Sequence, residues 1–568
     1  MFSGKAQTMT TGLVWLSIGL VVTACQTPEE TRPFSNAGEN ALAAITEDSL
    51  IGHIEVLADD EFEGRGPATA GDERTREYLA GQLDALGYLP AGEDGGWEQT
   101  FDIVGMNATV PDQWSFMAGD DELVLQRWDQ FIAASGVQSE TATVENAEVV
   151  FVGYGIEAPE YDWNDFDGQD LSGKVLLIVN NDPDWDPELF AGDTRLYYGR
   201  WDYKYATAAR QGAVAAIMIH TTPSAGYPWQ VVQTSWTGEQ FELPATDEPR
   251  LQVISWVTEE SAEALVTLAG KNLAELVESA KNRAFQPVPL GITTSLKLSN
   301  ALSAVSTANV LGIMPGSDPE LADEVVIYTA HHDHLGIGVA DEAGDSIYNG
   351  ARDNAAGVAQ VLAIADALQA LPEAPKRSIM MLFVAGEEQG LLGSEYYAAN
   401  PTVHPGKIAA NINYDGGNIW GKSRDLTYIG WGKSSLDNIA KRIADRQGRV
   451  VKPDQFPDRG MYYRSDQFSF AHIGVPAMYL GKPTDFIGRP PGWGVQQIEE
   501  YENLRYHQPS DELTDSWSFE GMLDDAEFGF WAGLMIADAA EMPTWTPGDE
   551  FEAARKKAIA QLSNENSQ

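Results

Sequence analysis

Five short stretches in the second half of the chain carry side chains that can bind a metal and move protons. Ile327-Tyr-Thr-Ala-His-His-Asp-His334 runs an apolar strand into His331, His332, Asp333 and His334. Alternate residues of an extended chain share a face, so the Asp333 carboxylate can steady the His331 imidazole. Asn349-Gly-Ala-Arg-Asp-Asn-Ala-Ala-Gly357 sets Asp353 on a glycine-flanked loop before a helix. Phe383-Val-Ala-Gly-Glu-Glu-Gln-Gly390 places Glu387 and Glu388 side by side at the mouth of a strand. Neighbouring side chains point different ways, so one carboxylate can take a metal while the other stands over its water. Asp415 ends the strand Asn411-Ile-Asn-Tyr, and His507 sits in Tyr506-His-Gln-Pro-Ser-Asp511. Singly, each motif is ordinary: a local hydrogen-bonded pair, a solvated acidic pair, a turn. Together they fall at strand ends or loops of one region and supply the nitrogen and oxygen donors that zinc accepts.

The elements that must position these residues are legible in outline. From Asn309 onward apolar strands alternate with helices, the pattern of a layered α/β sheet whose sites gather at one strand edge. Candidate strands are 324–330, 377–385, 408–414 and 475–480, and candidate helices are 355–371, 434–447 and 520–541. The stretch 45–136 mixes helix and strand, with an amphipathic helix over 72–86 stopped by Gly87. Residues 146–290 are β-rich, with strands at 147–153 and 174–179 and a short helix at 206–215 before Ala216-Ile-Met-Ile219. The fold class expected is α/β: a mixed, mostly parallel sheet flanked by helices, with an inserted β-rich domain. The boundaries read as 1–24, a signal; 25–44, a polar tether; 45–140 and 296–545, two parts of one catalytic domain; 141–295, the insertion; and 546–568, a loosely held charged tail.

Composition narrows the partners. The 568 residues hold 36 Lys plus Arg against 85 Asp plus Glu, a net charge of −49. So negative a surface repels phosphate backbones and argues against nucleic acid as a partner. The chain has one cysteine, which excludes a disulfide framework and a cysteine-built zinc site, so a metal here must be held by His and carboxylates. That residue, Cys25, follows an apolar run from Leu13 to Val22 too short to span a bilayer, as in a secretory signal. Val22-Thr-Ala-Cys25 resembles the bacterial lipoprotein processing box, which implies lipidation at Cys25. Gln26 in place of an Asp after it favours the outer membrane. An ordinary secretory signal is the other reading.

The ordered set His-x-Asp, Gly-x-x-Asp-Asn-x-x-Gly, Gly-Glu-Glu-x-Gly, Asn-x-Asp and Tyr-His-x-x-x-Asp resembles the co-catalytic dizinc aminopeptidase family, which includes glutamate carboxypeptidase and the transferrin receptor. Phe62-Glu-Gly-Arg-Gly-Pro67, Ser465-Asp-Gln-Phe-Ser-Phe470 and Gly474-Val-Pro476 extend the likeness. Phe151-Val-Gly-Tyr-Gly-Ile156, Leu171-Ser-Gly-Lys-Val175 and the segment 203–213 resemble the protease-associated domain inserted in many members. The resemblance implies two Zn²⁺ per chain: His331 and Asp415 on one, Glu388 and His507 on the other, Asp353 bridging. It makes Glu387 the general base and Asp333 the residue that orients His331, and it implies a cis peptide before Asn354. Gln467 departs from the family's usual His at that position, which puts the local pocket in doubt rather than the ligands. His332, His334, His404 and His472 receive no role.

The resemblance implies an exopeptidase acting on peptides with a free N-terminus, with carboxypeptidase or dipeptidase kept open and a glutaminyl cyclase disfavoured. A receptor-like, non-catalytic chain should have lost ligands or the base, and all are present. Oligomeric state and side-chain preference are not legible. In the insertion, the aromatic segment 190–205 either packs that domain's own core or leans over the metal site, with Tyr198 and Arg200 as a lid and substrate wall.

Overall fold

The run Val325–His331 is buried at every one of its seven positions, and so are Ser378–Val384 and Ile408–Asn413. Such continuously apolar strands form where helices cover both faces of a sheet. In the computed structural model, which describes residues 34–565, they pair in parallel with Ala477–Gly481, in the order 378–384, 325–331, 408–413, 477–481. Antiparallel strands border this set: the end of Val288–Met314 on one side and Asp425–Ile429 on the other. Ala356–Gln369 and Glu520–Ala537 bury their small residues against the sheet. Gly533 is required there, because a Cβ would lie 1.8 Å from the Tyr328 hydroxyl, which donates to the Gly529 carbonyl at 2.7 Å. The expected helix at 72–86 runs Ala70–Leu86, capped by Thr69 and ended by Gly87 at φ +86°.

One strand of 27 residues, Val288–Met314, ties the molecule together. Its first part pairs with Thr141–Phe151, its middle with Glu98–Thr109 and its end with Ser378–Val384. Between residues 114 and 298 the chain packs apolar clusters of its own, one around Trp114, Phe151 and Leu177, another around Leu176, Met218 and Trp256. The helix expected at 206–215 lies at Trp201–Arg210, because Gly212 turns the chain at φ +77° before the strand Ala215–His220.

Both described ends are more ordered than the sequence suggested. The expected tail at 546–568 contains the helix Glu552–Glu565, docked by Arg555, which donates to the carbonyls of Pro405 and Ile408 at 2.9 and 3.0 Å. Its apolar stripe is too thin to be read from periodicity alone. Residues 36–41 of the expected tether form a short helix capped by Ser35, with Ala41 buried and Phe34 edge-on to Trp531. The signal segment and Cys25 lie outside the described residues.

Candidate metal centre

The three parallel strands 325–331, 378–384 and 408–413 deliver His331, the Glu387-Glu388 turn and Asp415 to one edge. Two buried networks fix the loops between them. Arg65, 1% exposed and at φ +54°, donates to the backbone carbonyls of His332, Asn349 and Gly350 at 2.9, 2.6 and 3.0 Å. Asn354, after a cis Asp353–Asn354 peptide, donates to the His331 and Tyr414 carbonyls and accepts from the Gly357 and Gly416 amides. Asp511 then accepts the Asp353 amide at 3.0 Å.

These constraints set Asp353 between two groups of donors. Its Oδ1 lies 3.3 Å from His331 Nε2, which is 3.5 Å from Asp415 Oδ1. Its Oδ2 faces His507 Nε2 at 3.6 Å, and that nitrogen is 3.0 Å from Glu388 Oε2. Ligand atoms of His331, Asp353 and Asp415 lie within 4.8 Å of one another, as do those of His334, Asp353 and Glu388. The Nε2 atoms of His331, His334 and His507 are buried without a hydrogen-bond partner. Orphaned imidazole nitrogens turned toward carboxylates are what a cation would satisfy, and the donor set suits zinc.

His334, to which the sequence reading assigned no role, belongs to this cluster: its Nδ1 is 2.7 Å from Glu388 Oε1. It continues the His331-x-Asp333 run by one residue, but only the bend after the strand turns it inward. His332 is a structural residue, its Nε2 set 3.2 Å from the buried Asp72 carboxylate. Asp333 orients the site differently from the expectation. His331 Nδ1 meets the Asp333 backbone carbonyl at 3.2 Å, while the carboxylate stands 3.8 Å away. That carboxylate instead accepts the amides of Glu387 and Glu388, at 3.1 and 3.3 Å, and so pins the turn that carries both acids. Gln467, in place of histidine, accepts from Asn413 at 2.9 Å and donates to the Tyr462 carbonyl at 2.8 Å.

The electrostatics sort the two glutamates. Burial, reinforced by Glu388, Asp415 and Asp466, pushes Glu387 well above the ordinary carboxylate range. Glu388 is equally buried, yet His507 and His334 bring it to about 2. Burial would lower His507, but Glu388 and Asp353 outweigh it and raise the imidazole to about 9. A carboxyl held high beside one held low is how neighbouring acids take different roles.

Residues 235 and 241 reach this cluster at two points the sequence did not reveal. Ser235 Oγ is 2.7 Å from His507 Nδ1, and the Phe241 amide donates to Gln389 Oε1 at 2.9 Å. Arg200 lines a cleft together with Glu387, Glu388 and His507. Tyr198 does not: its ring packs edge-on against Tyr161, Phe190 and Tyr203, and its hydroxyl bonds Glu160. Of the two readings of Tyr198, the structure favours packing within its own region: the half-buried ring lies against the cluster around Phe190 and Tyr203 rather than over the metal ligands.

Residues 309–523 match the model of peptidase family M28. The leupeptin-inactivating enzyme 1 of Streptomyces exfoliatus is 24% identical over 268 residues, 46% of this chain and 55% of that protein. A probable zinc metalloprotease of Leptosphaeria maculans is 32% identical over 111 residues, 20% of this chain and 24% of the relative. The matches thus span about half or less of these curated relatives. Among solved structures, the aminopeptidase of Aneurinibacillus sp. strain AM-1 shares the fold, with a TM-score of 0.54, 19% identity, and coverage of 89% of this chain and 97% of that one. Residues 309–523, the stretch that matches this family model, carry every candidate ligand of the cluster.

Proposed function

We propose that this protein is a zinc-dependent exopeptidase that removes N-terminal residues from peptides, with two zinc ions per chain. The observation that carries the reading is Asp353, whose two carboxylate oxygens face separate pairs, His331 with Asp415 and His507 with Glu388. Zinc held there would polarise the scissile carbonyl and bring a water to a pKa of about 7. Glu387, not needed to bridge those pairs and with a carboxyl that readily holds a proton, takes the water's proton and passes it to the leaving amine. Asp333 keeps Glu387 and Glu388 in register through their amides. Arg200, on the cavity wall beside both glutamates, is placed to contact the bound peptide. Retention of every ligand and of the base supports an enzyme over a receptor-like chain, and the aminopeptidase among its structural neighbours supports the N-terminal direction.

The test is a panel of amino-acid p-nitroanilides beside their N-acetylated forms and free dipeptides. Cleavage of the free anilides alone, lost with a chelator and restored by zinc, is the expected result. Cleavage of N-blocked peptides from the C-terminus would replace this reading with a carboxypeptidase. On the sequence of residues 13–26, we also propose export and lipidation at Cys25, anchoring the protein to the cell envelope at the outer membrane. Cys25→Ser should move it from the membrane to the soluble fraction, and retention of that variant would refute the anchor.

A further inference from the structure

We propose that the cavity beside Asp415 binds a carboxylate of the substrate, held by Arg352, Lys482 and Arg459; the proposal rests on the exopeptidase reading and names its substrate class. The cavity runs from Asp415 and its two following glycines to Lys482, past the end of the strand Ala477–Gly481. Arg352 directly precedes the bridging Asp353 and is 5% exposed. Its Nε donates to the Gly417 carbonyl at 3.0 Å, and its guanidinium lies 5.1 Å from the Trp420 ring centre and 4.4 Å from that of Tyr501. Pinned in this way, it faces the cavity in one orientation. Among the described residues no carboxylate pairs with it; Asp511 and Asp353 act on it only through space.

The other two cations share one partner. Lys482 reaches Glu502 at 2.8 Å and Arg459 reaches the same carboxylate at 2.5 Å. Three cations and four carboxylates, Asp415, Asp454, Glu502 and Asp525, line the cavity, and Glu502 is ion-paired to two of the cations. Asp415 is turned to His331 at 3.5 Å. Asp525 is taken by Arg449 at 2.7 Å, and burial raises the Asp454 carboxyl above its usual range. Lys482 is lowered by its burial, and Arg352 and Arg459 add to the effect. Cations withdrawn from water are costly unless paired, so an arriving carboxylate gains where an amide of the same shape does not. Arginine held flat between rings suits such an acid better than a mobile ammonium does.

The carboxylate can come from the side chain of an N-terminal Glu or Asp, or from the C-terminus of a short peptide. Isosteric pairs separate the two sources. If the side chain is read, Glu-p-nitroanilide should exceed Gln-p-nitroanilide in kcat/KM by about tenfold to a hundredfold, the range of one charge-assisted hydrogen bond. If the C-terminus is read, Leu-Leu should exceed Leu-Leu-amide by a similar factor. Either preference should collapse toward unity in Arg352→Gln and in Lys482→Met. Calorimetry gives a readout independent of turnover: free L-glutamate should bind the zinc-loaded protein more tightly than L-glutamine in the first case, and Leu-Leu more tightly than Leu-Leu-amide with the inert Glu387→Gln protein in the second. Cleavage of Leu-p-nitroanilide with no preference in either pair overturns this proposal and leaves the exopeptidase reading intact. Failure to cleave any anilide or dipeptide overturns both.

Discussion

At the scale of single residues, Glu387 and Asp353 are separable by what they hold. Glu387 is not needed to join the His331–Asp415 and His507–Glu388 pairs, whereas Asp353 faces both. Glu387→Gln should therefore keep its zinc content and lose about 10²–10⁴ in kcat, the usual contribution of a positioned base. Asp353→Ala should lose zinc as well as activity. Metal analysis of the two purified variants checks this, and equal zinc loss in both would refute the division of roles. The sequence made these residues visible because each motif ends a strand or opens a helix, where backbone periodicity dictates direction. It did not show that the Asp333 carboxylate serves two amides rather than the imidazole, since one bend after residue 331 decides that.

At the scale of elements, the metal cluster depends on parts far from it in sequence. Ser235 comes from the helix Trp229–Ser235 and holds His507, which itself sits at φ +56°. Ser235→Ala removes the partner of Nδ1 and should weaken zinc affinity about 10- to 100-fold, as loss of such supporting hydrogen bonds does. Competition with a zinc chelator measures it, and Ser235→Thr should recover most of the loss. Packing behind the sheet gives a second expectation. Gly533→Ala places a Cβ against the Tyr328 hydroxyl, and overpacking of this kind costs about 1–3 kcal/mol, readable as a lower denaturant midpoint. The end of the helix Ala70–Leu86 at Gly87 was legible in the sequence. The contact between Ser235 and His507 was not, because 272 residues separate them.

At the scale of the whole molecule, the apolar cluster around Trp256 contributes a pH sensitivity of its own. His220 is 4% exposed, packed edge-on to Trp229 and Trp256, with Nε2 3.1 Å from the Tyr227 carbonyl. Burial lowers it from 6.5 to about 4. The folded chain keeps this imidazole neutral where the unfolded chain protonates it. Its stabilising effect is therefore complete above about pH 6.5 and is lost as the pH falls toward 4, by at most about 3 kcal/mol. Denaturation of wild type and His220→Gln at pH 7 and pH 4.5 checks it: the variant should lose less stability on acidification. An equal loss would place the acid sensitivity elsewhere, in the carboxylates of the metal cluster.

The sequence by itself determined the α/β class, the parallel strands and the residues that meet at their ends, because periodicity and strand-end placement are local properties of the chain. It also identified the acidic character and the absence of any cysteine-built site, which are sums over residues. Only the tertiary structure decided that His334 joins the cluster, that Tyr198 packs against Phe190 while Arg200 lines a cleft with the glutamates, and that the C-terminal segment docks as a helix. It alone brought Arg352, Lys482 and Arg459 to one cavity. Each of these outcomes depends on contacts between segments distant along the chain, and such contacts leave no periodic trace in either partner.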